Sequence, residues 1–201
     1  MITKKFETQE EWLEERKGKI TGSRLNNIVV KRGTGEKIGF YELIAERIAE
    51  ESDGEDPMER GHRLEEEAIK VFEKTTGKKV DTSLVMWERE DNKSIAISPD
   101  GFIGDIEAVE VKCLSPAKHL EAYLTKQIPD EYEFQVLQYF IVNDKLKTLW
   151  FVMYDTRMPE KIKMHYFEIK REEKKEDIEK YLNYQKDKLE AIEQIITDLT
   201  F

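Results

Sequence analysis

A turn signal followed by an acid–lysine pair, both set among residues suited to buried strands, constrains this chain most. Ser98-Pro99-Asp100-Gly101 follows Ile95, Ala96 and Ile97, and Glu110-Val111-Lys112 sits among Ala108, Val109 and Cys113. Such runs read as short strands of a sheet. Side chains alternate along a strand, so Glu110 and Lys112 share a face, with Asp100 expected opposite them on the neighbouring strand. Burying two carboxylates and an ammonium there is costly unless they pair or bind a cation. Hard divalent cations take oxygen ligands and keep several waters, so two acids, a backbone carbonyl and a substrate phosphate make a fitting set. The lysine narrows the chemistry. A structural metal gains little from a nearby ammonium, whereas a site that activates water against a phosphodiester uses one to orient the nucleophile or offset developing charge. These residues therefore point to metal-dependent phosphodiester hydrolysis.

Composition bounds the rest. At 201 residues the chain suits one domain with a real core, and 39% hydrophobic content excludes wholesale disorder. No apolar run approaches the ~20 residues of a membrane helix, and the charged N-terminus lacks the apolar centre of a secretory leader, so a cytoplasmic protein is expected. The single cysteine, Cys113, rules out an internal disulfide or a multi-cysteine cluster, and is expected as a small buried residue. A net charge of −10 sits awkwardly with phosphate binding, yet Arg16, Lys17, Lys19, Arg24, Lys31, Arg32 and Lys37 face only Glu36 between Arg16 and Gly39. That asymmetry fits one phosphate-facing surface on an otherwise repulsive body.

Periodicity and caps supply the elements. Thr8 and Glu11 form a capping box for a helix through Trp12 and Leu13 to Arg16, closing near Gly18. Ser23 is expected to cap a second helix to Val29, and Phe40, Leu43, Ile44 and Ile48 recur at helical spacing before a break at Ser52 to Pro57. A longer helix spans about Met58 to Thr76, with Leu64, Ala68, Ile69 and Phe72 inward, Glu65 at the edge of that stripe, and Gly77 as its stop. Lys79 to Trp87, Lys93 to Ser98, Phe102 to Ile106 and Ala108 to Cys113 read as successive strands of one sheet. Then come a helix opened by Pro116, a helix over about Asp130 to Asn143 with Tyr132, Gln135 and Tyr139 on one stripe, strands at Leu149 to Tyr154 and Lys163 to Ile169, and a charged closing helix. Trp12 and Trp150 are expected to fill core positions, and His62, His119 and His165 to be surface or packing residues. The Gly33 to Gly35 loop lacks the strand–loop–helix setting of a phosphate cradle.

In this order the features resemble the lambda-exonuclease-like group of phage recombination nucleases, a viral recombinase group of the PD-(D/E)XK superfamily. The resemblance extends from about Trp12 to Met158. Arg16 to Ser23 looks like the N-terminal Arg-x-Gly-x-Ile-Thr-Ala-Ser element, and Gly61 to Ala68 is similar to the helix with an essential glutamate, aligned with Glu65. The Asp100 and Glu110-Val111-Lys112 segments match the metal site. Tyr132-Glu133-Phe134-Gln135 looks like the Tyr-x-x-Gln helix, and Tyr154-Asp155-Thr156-Arg157-Met158 resembles the Tyr-Asp-Pro-Arg-Met strand end. Two departures are Gly22, where alanine is usual, and Leu114-Ser115 before Pro116, where proline usually follows the cysteine directly.

The resemblance implies an α/β (α+β) restriction-endonuclease-like core at about 58–170, a central mixed sheet flanked by helices, DNA-end-binding helices at about 8–50 and a closing helix at about 171–199. It makes Asp100, Glu110 and the Val111 carbonyl ligands of Mg²⁺ or Mn²⁺, with one or two ions per site and Glu65 assisting the second. Lys112 would orient the attacking water, with Gln135 holding the lysine or that water. Arg16 and Ser23 are candidates for a 5′ phosphate, with Arg24, Lys31 and Arg32 for neighbouring DNA. The implied activity is 5′-to-3′ digestion of one strand of linear duplex DNA to mononucleotides, leaving 3′ single strands for recombination. A trimeric ring and a single-strand annealing partner belong to the same implication. The alternatives are a structure-specific endonuclease of the superfamily, or a non-catalytic module that binds DNA ends.

Overall fold

The computed structural model describes residues 1–30, 37, 39, 40, 43, 59–114, 116–156 and 158–200. Lys31, Arg32, the Gly33 to Gly35 loop, the Ser52 to Pro57 break and Arg157 lie outside them. Seven strands are described: β1 (Ile2–Lys5), β2 (Val85–Glu88), β3 (Ala96–Ile97), β4 (Gly101–Ile103), β5 (Glu107–Lys112), β6 (Thr148–Tyr154) and β7 (Met164–Lys170). The helices are α1 (Gln9–Glu15), α2 (Gly22–Ile28), α3 (Glu59–Thr76), α4 (Pro116–Thr125), α5 (Glu133–Val142) and α6 (Lys175–Thr200).

The central sheet runs β4-β5-β6-β7 and is mixed, as expected: β5 and β6 are parallel, and β4 and β7 flank them antiparallel. A parallel pair needs a long crossover, and α4 with α5 supplies it between β5 and β6. Alternation sorts the two faces. Val109, Val111, Trp150, Val152 and Tyr154 pack with Ala68, Ile69 and Phe72 of α3. Ala108, Leu149, Phe151 and Met153 belong to the other core, with Phe134, Leu137 and Phe140 of α5 and Ile178, Leu189 and Ile192 of α6. Burial of both faces explains why all seven residues of β6 are buried.

Three expectations change. The strands expected over Lys79–Trp87 and Lys93–Ser98 do not join the central sheet: β2 and β3 form a separate three-stranded sheet with β1, which sequence periodicity did not pick out. Pro99 sits at the corner between β3 and β4 and has no N–H to continue a ladder, so the chain changes sheets there. Among the described residues an isolated bridge, Asp81 to Phe102, ties the stretch before β2 to β4. Thr21, rather than Ser23, is the residue before α2; Ser23 lies exposed inside its first turn. Cys113 is exposed rather than buried, because β5 ends at Lys112.

Candidate active site

The site forms where β5 ends. Glu110 is only 1% exposed, and three side chains hold its carboxylate. Lys112 Nζ and Gln135 Nε2 both donate to Glu110 Oε1, while the Tyr139 hydroxyl donates to Oε2. Gln135 and Tyr139 stand one turn apart on α5, so one helix face grips one acid. Tyr139 is fully buried and packs edge-on against Trp87, with ring centroids 6.4 Å apart. Asp100, just before β4, accepts the Val111 N–H on Oδ2 at 2.7 Å. Protein surrounds that carboxylate densely, yet the residue keeps a partly open surface, which a ligand needs.

Electrostatics describe a site short of positive charge. Burial, then Glu110 and Glu65, push Asp100 well above the usual carboxylate range. Glu65, reaching over from α3, is pushed up to about 7 by burial and by Glu110. For Lys112, burial favours the neutral amine, but Glu110 and Asp100 outweigh it and raise the ammonium above its ordinary value. Lys112 therefore stays charged, with its Nζ 5.3 Å from the Tyr132 ring centroid. Arg16 closes the other side. Burial lowers its value while the charges of Glu110 and Asp100 work against that.

The donor chemistry suits a hard divalent ion. Three carboxylates converge, and the N–H and C=O of a strand residue face the same neighbour, so the Val111 carbonyl faces the side where Asp100 lies. Among the described residues no three His, Cys, Asp or Glu side chains are placed so that they could hold a metal ion by themselves. A substrate-open site of two acids, a carbonyl and waters is the arrangement these residues fit.

Asp100, Glu110, Lys112, Glu65, Gln135 and Arg16 are thus brought together, and Arg24 lies close enough to Arg16 to repel it. Ser23 is exposed on α2. The sequence puts Tyr139 on the Tyr132–Gln135 stripe but gives it no role; its spacing of four from Gln135 is the available signal. Trp150 is a core residue, at 8% exposed, but Trp12 is not: half-buried, it lies under Arg16 with 4.4 Å from the guanidinium carbon to the ring centroid. His119 is buried and packs against His165, as expected of packing residues.

Residues 11–146 match the family model described as the YqaJ-like viral recombinase domain. The fold is similar to an alkaline exonuclease, LHK-Exo, from Laribacter hongkongensis, with a TM-score of 0.80 and 26% identity over 95% of this chain and 96% of that one. The same exonuclease in complex with dAMP gives 0.79 at 26% identity, with the same coverage. A phage related exonuclease from Haemophilus somnus gives 0.66 over 90% of this chain and 96% of that one; at 15% identity that likeness concerns the fold alone. Comparison with curated proteins returned no match.

Proposed function

This chain belongs to the YqaJ-like viral recombinase domain family, and from that premise we propose that it is a metal-dependent DNA exonuclease acting on the 5′-ended strand of linear duplexes. The observation that carries the reading is the convergence of Asp100, Glu110 and Glu65 beside a charged Lys112 and Arg16. The dAMP complex of the similar alkaline exonuclease supports a nucleoside monophosphate as the product class.

Asp100, Glu110 and the Val111 carbonyl would hold Mg²⁺ or Mn²⁺, with Glu65 toward a second ion. When bound, such ions supply Lewis-acid stabilisation of the attacking and leaving oxygens and an activated water. The chain's own residues do the rest. Gln135 and Tyr139 fix the Glu110 carboxylate, so no reorganisation is left for the moment of reaction. Lys112 is held protonated and therefore serves as a positive donor to the nucleophile or the phosphate, not as a base. Arg16 offers a guanidinium to a terminal 5′ phosphate, helped by the Ser23 hydroxyl and Arg24. Lys31 and Arg32, basic residues of the same stretch of sequence, would contact neighbouring DNA. A three-subunit ring and a single-strand annealing partner complete the reading on family likeness.

The test is a linear duplex carrying separate labels on its two strands, incubated with Mg²⁺. Steady release of 5′ mononucleotides from the 5′-ended strand, with covalently closed circles resistant, is expected. Cutting of closed circles would instead assign an endonuclease, and end binding without cleavage a non-catalytic module. A strict monomer in light scattering would remove the ring and leave the chemistry.

A further inference from the structure

Two glutamines, Gln138 of α5 and Gln185 of α6, are fully buried and bond each other in both directions. Gln185 Nε2 donates to Gln138 Oε1 at 2.9 Å, and Gln138 Nε2 donates to Gln185 Oε1 at 3.1 Å. Backbone carbonyls fix which way each amide faces. Gln185 Nε2 also donates to the Tyr181 carbonyl at 3.3 Å, and Gln138 Nε2 to the carbonyls of Ile20 at 2.9 Å and Ala96 at 3.3 Å. Burying two amides is costlier than burying two aliphatic side chains. The rest of the buried face of α6, with Ile178, Leu189 and Ile192, is aliphatic and by itself tolerates a slip along the helix, whereas a satisfied polar pair permits one register.

The carbonyls that Gln138 bonds lie where two segments of the site meet. The Ile20 N–H donates to the Ser94 carbonyl at 2.9 Å, and the Ile20 carbonyl accepts the Ala96 N–H at 3.1 Å. Arg16 stands four residues before Ile20, Asp100 four after Ala96, and Gln135, which holds Glu110, three before Gln138. One amide therefore bonds the segment of the phosphate candidate to the segment of one acid, from the helix that grips the other. Tyr184, beside Gln185 on α6, holds the far end of α2: its hydroxyl donates to the Ile28 carbonyl at 3.2 Å and accepts the Val30 N–H at 3.3 Å.

We propose that Gln138 and Gln185 are positioning residues, through which α6 sets the Arg16 segment at a fixed distance from the carboxylates. A terminal 5′ phosphate and the phosphate that follows it are then engaged together. The proposal rests on the nuclease reading above and deepens it. Neither glutamine reaches the surface, so both act through the backbone of the segments they tie. Two anchor points on separate segments reinforce each other only when their spacing matches the substrate, and a misplacement of about 1 Å can cost 10²-fold in rate.

The test measures that reinforcement in Gln185→Met, which keeps the side chain's length and removes its amide. Affinity for a duplex end is read by fluorescence anisotropy with a 5′ phosphate or a 5′ hydroxyl, each in EDTA and in Ca²⁺, an ion of the same oxygen-seeking class as Mg²⁺. In the parent the 5′ phosphate is expected to enlarge the gain from Ca²⁺ by about 10-fold, within the usual range of coupling between two sites. Gln185→Met should lose most of that factor while binding hydroxyl ends as the parent does. With Mg²⁺ and saturating DNA, its first-nucleotide release should fall about 10-fold on phosphorylated ends and stay near the parent's on hydroxyl ends. Ile192→Val, a core change on the same helix, lowers the melting midpoint without touching the amides and should keep the coupling. Should Gln185→Met not fold, Gln185→Asn, an amide one methylene short, is expected to lose coupling in the same direction. A parent without coupling, a folded Gln185 variant that retains it, or an equal loss in Ile192→Val would overturn the proposal. The binding arm decides this even if no end is cleaved, an outcome that would count against the nuclease reading instead.

Discussion

Asp100 is fastened through its side chain to the strand that carries the second acid: its Oδ2 accepts the Val111 N–H at 2.7 Å. The β4–β5 ladder pairs Gly101 with Val109, so the next ladder position would bring Pro99 against Val111. The chain turns away at Pro99, and the Asp100 carboxylate takes up the N–H that the ladder leaves over. One acid thus both completes the sheet edge and faces the site.

That double role separates two substitutions. Asp100→Asn keeps an oxygen acceptor for Val111 and removes a charge that burial and the neighbouring acids oppose, so without metal at neutral pH it should melt at or above the parent's midpoint, and it should lose turnover by about 100-fold or more, the order that one electrostatic stabiliser is worth. Asp100→Ala should lose turnover and also about 1–3 kcal/mol of stability, because a partly buried N–H is left without a partner. Thermal melts beside cleavage assays check both. An Asp100→Asn variant that cleaves like the parent would remove Asp100 from the reaction.

Lys112→Ala should abolish turnover, by ~10²-fold or more, while leaving DNA ends bound. The ammonium offsets Glu110 and Asp100, so its loss should also weaken the fold at neutral pH in the absence of metal, and added Mg²⁺ should restore part of the midpoint. Anisotropy, single-turnover cleavage and a melt with and without Mg²⁺ read the three effects separately.

Glu65 gives a pH dependence of definite sign. Its carboxyl is pushed up to about 7 by burial and then Glu110, so between its ordinary value and 7 the folded chain binds more protons than the unfolded one. Stability therefore falls as pH rises through that window. His165 works in the opposite direction: burial, then His119 and Lys126, lower it to about 4, so its contribution is complete only above the ordinary histidine value. A difference measurement removes that overlap. Without metal, Glu65→Gln should match the parent near pH 5 and exceed it by on the order of 2 kcal/mol at pH 8. A gap between the two melting midpoints that stays constant from pH 5 to 8 would contradict the assignment.

Much of this site was legible because its residues obey simple periods. The two-residue step from Glu110 to Lys112 put them on one face, and the N-cap half of the expected capping box is present: Thr8 Oγ1 accepts the Glu11 N–H at 3.2 Å, while the Glu11 carboxylate accepts the Glu7 N–H. Other features depend on partners distant in the chain. β1 is four residues long and owes its existence to pairing with β2, whose Glu88 is bonded by Lys4 at 3.1 Å and Lys19 at 2.8 Å. Ile95 leaves the expected strand because it bridges to Ile20. Large aromatics usually fill cores, so nothing in the sequence sets Trp12 apart; only the fold shows Arg16 covering it and the cleft beside it. Tyr139 lay on a visible stripe, but its role required knowing that α5 crosses the Glu110 face of β5.

Arg16→Ala should narrow the preference for a 5′ phosphate over a 5′ hydroxyl by about 10-fold, the value of one charge-assisted bidentate contact. Because the guanidinium also covers the Trp12 ring, some loss on hydroxyl ends should accompany it. The ratio of rates on the two ends carries the test, and a parent that cuts both ends equally would remove phosphate recognition from Arg16.

Gly22 shows how tightly α2 is set against the machinery. A Cβ there would lie 2.4 Å from Ile97 Cδ1, 2.8 Å from Gln135 Cγ and 3.3 Å from Gln135 Cα. Ile97 is buried in the main core, and the Gln135 amide is held on Glu110, so neither side chain yields without cost. Gly22→Ala should therefore cost about 1–3 kcal/mol by overpacking. It should also reduce turnover beyond what that stability loss explains, because the displaced atom carries the amide that fixes the Glu110 carboxylate. The two effects part in a second background: shortening the opposing residue with Ile97→Val should recover much of the stability while turnover stays low. Full recovery of both would mean that Gly22 serves packing alone.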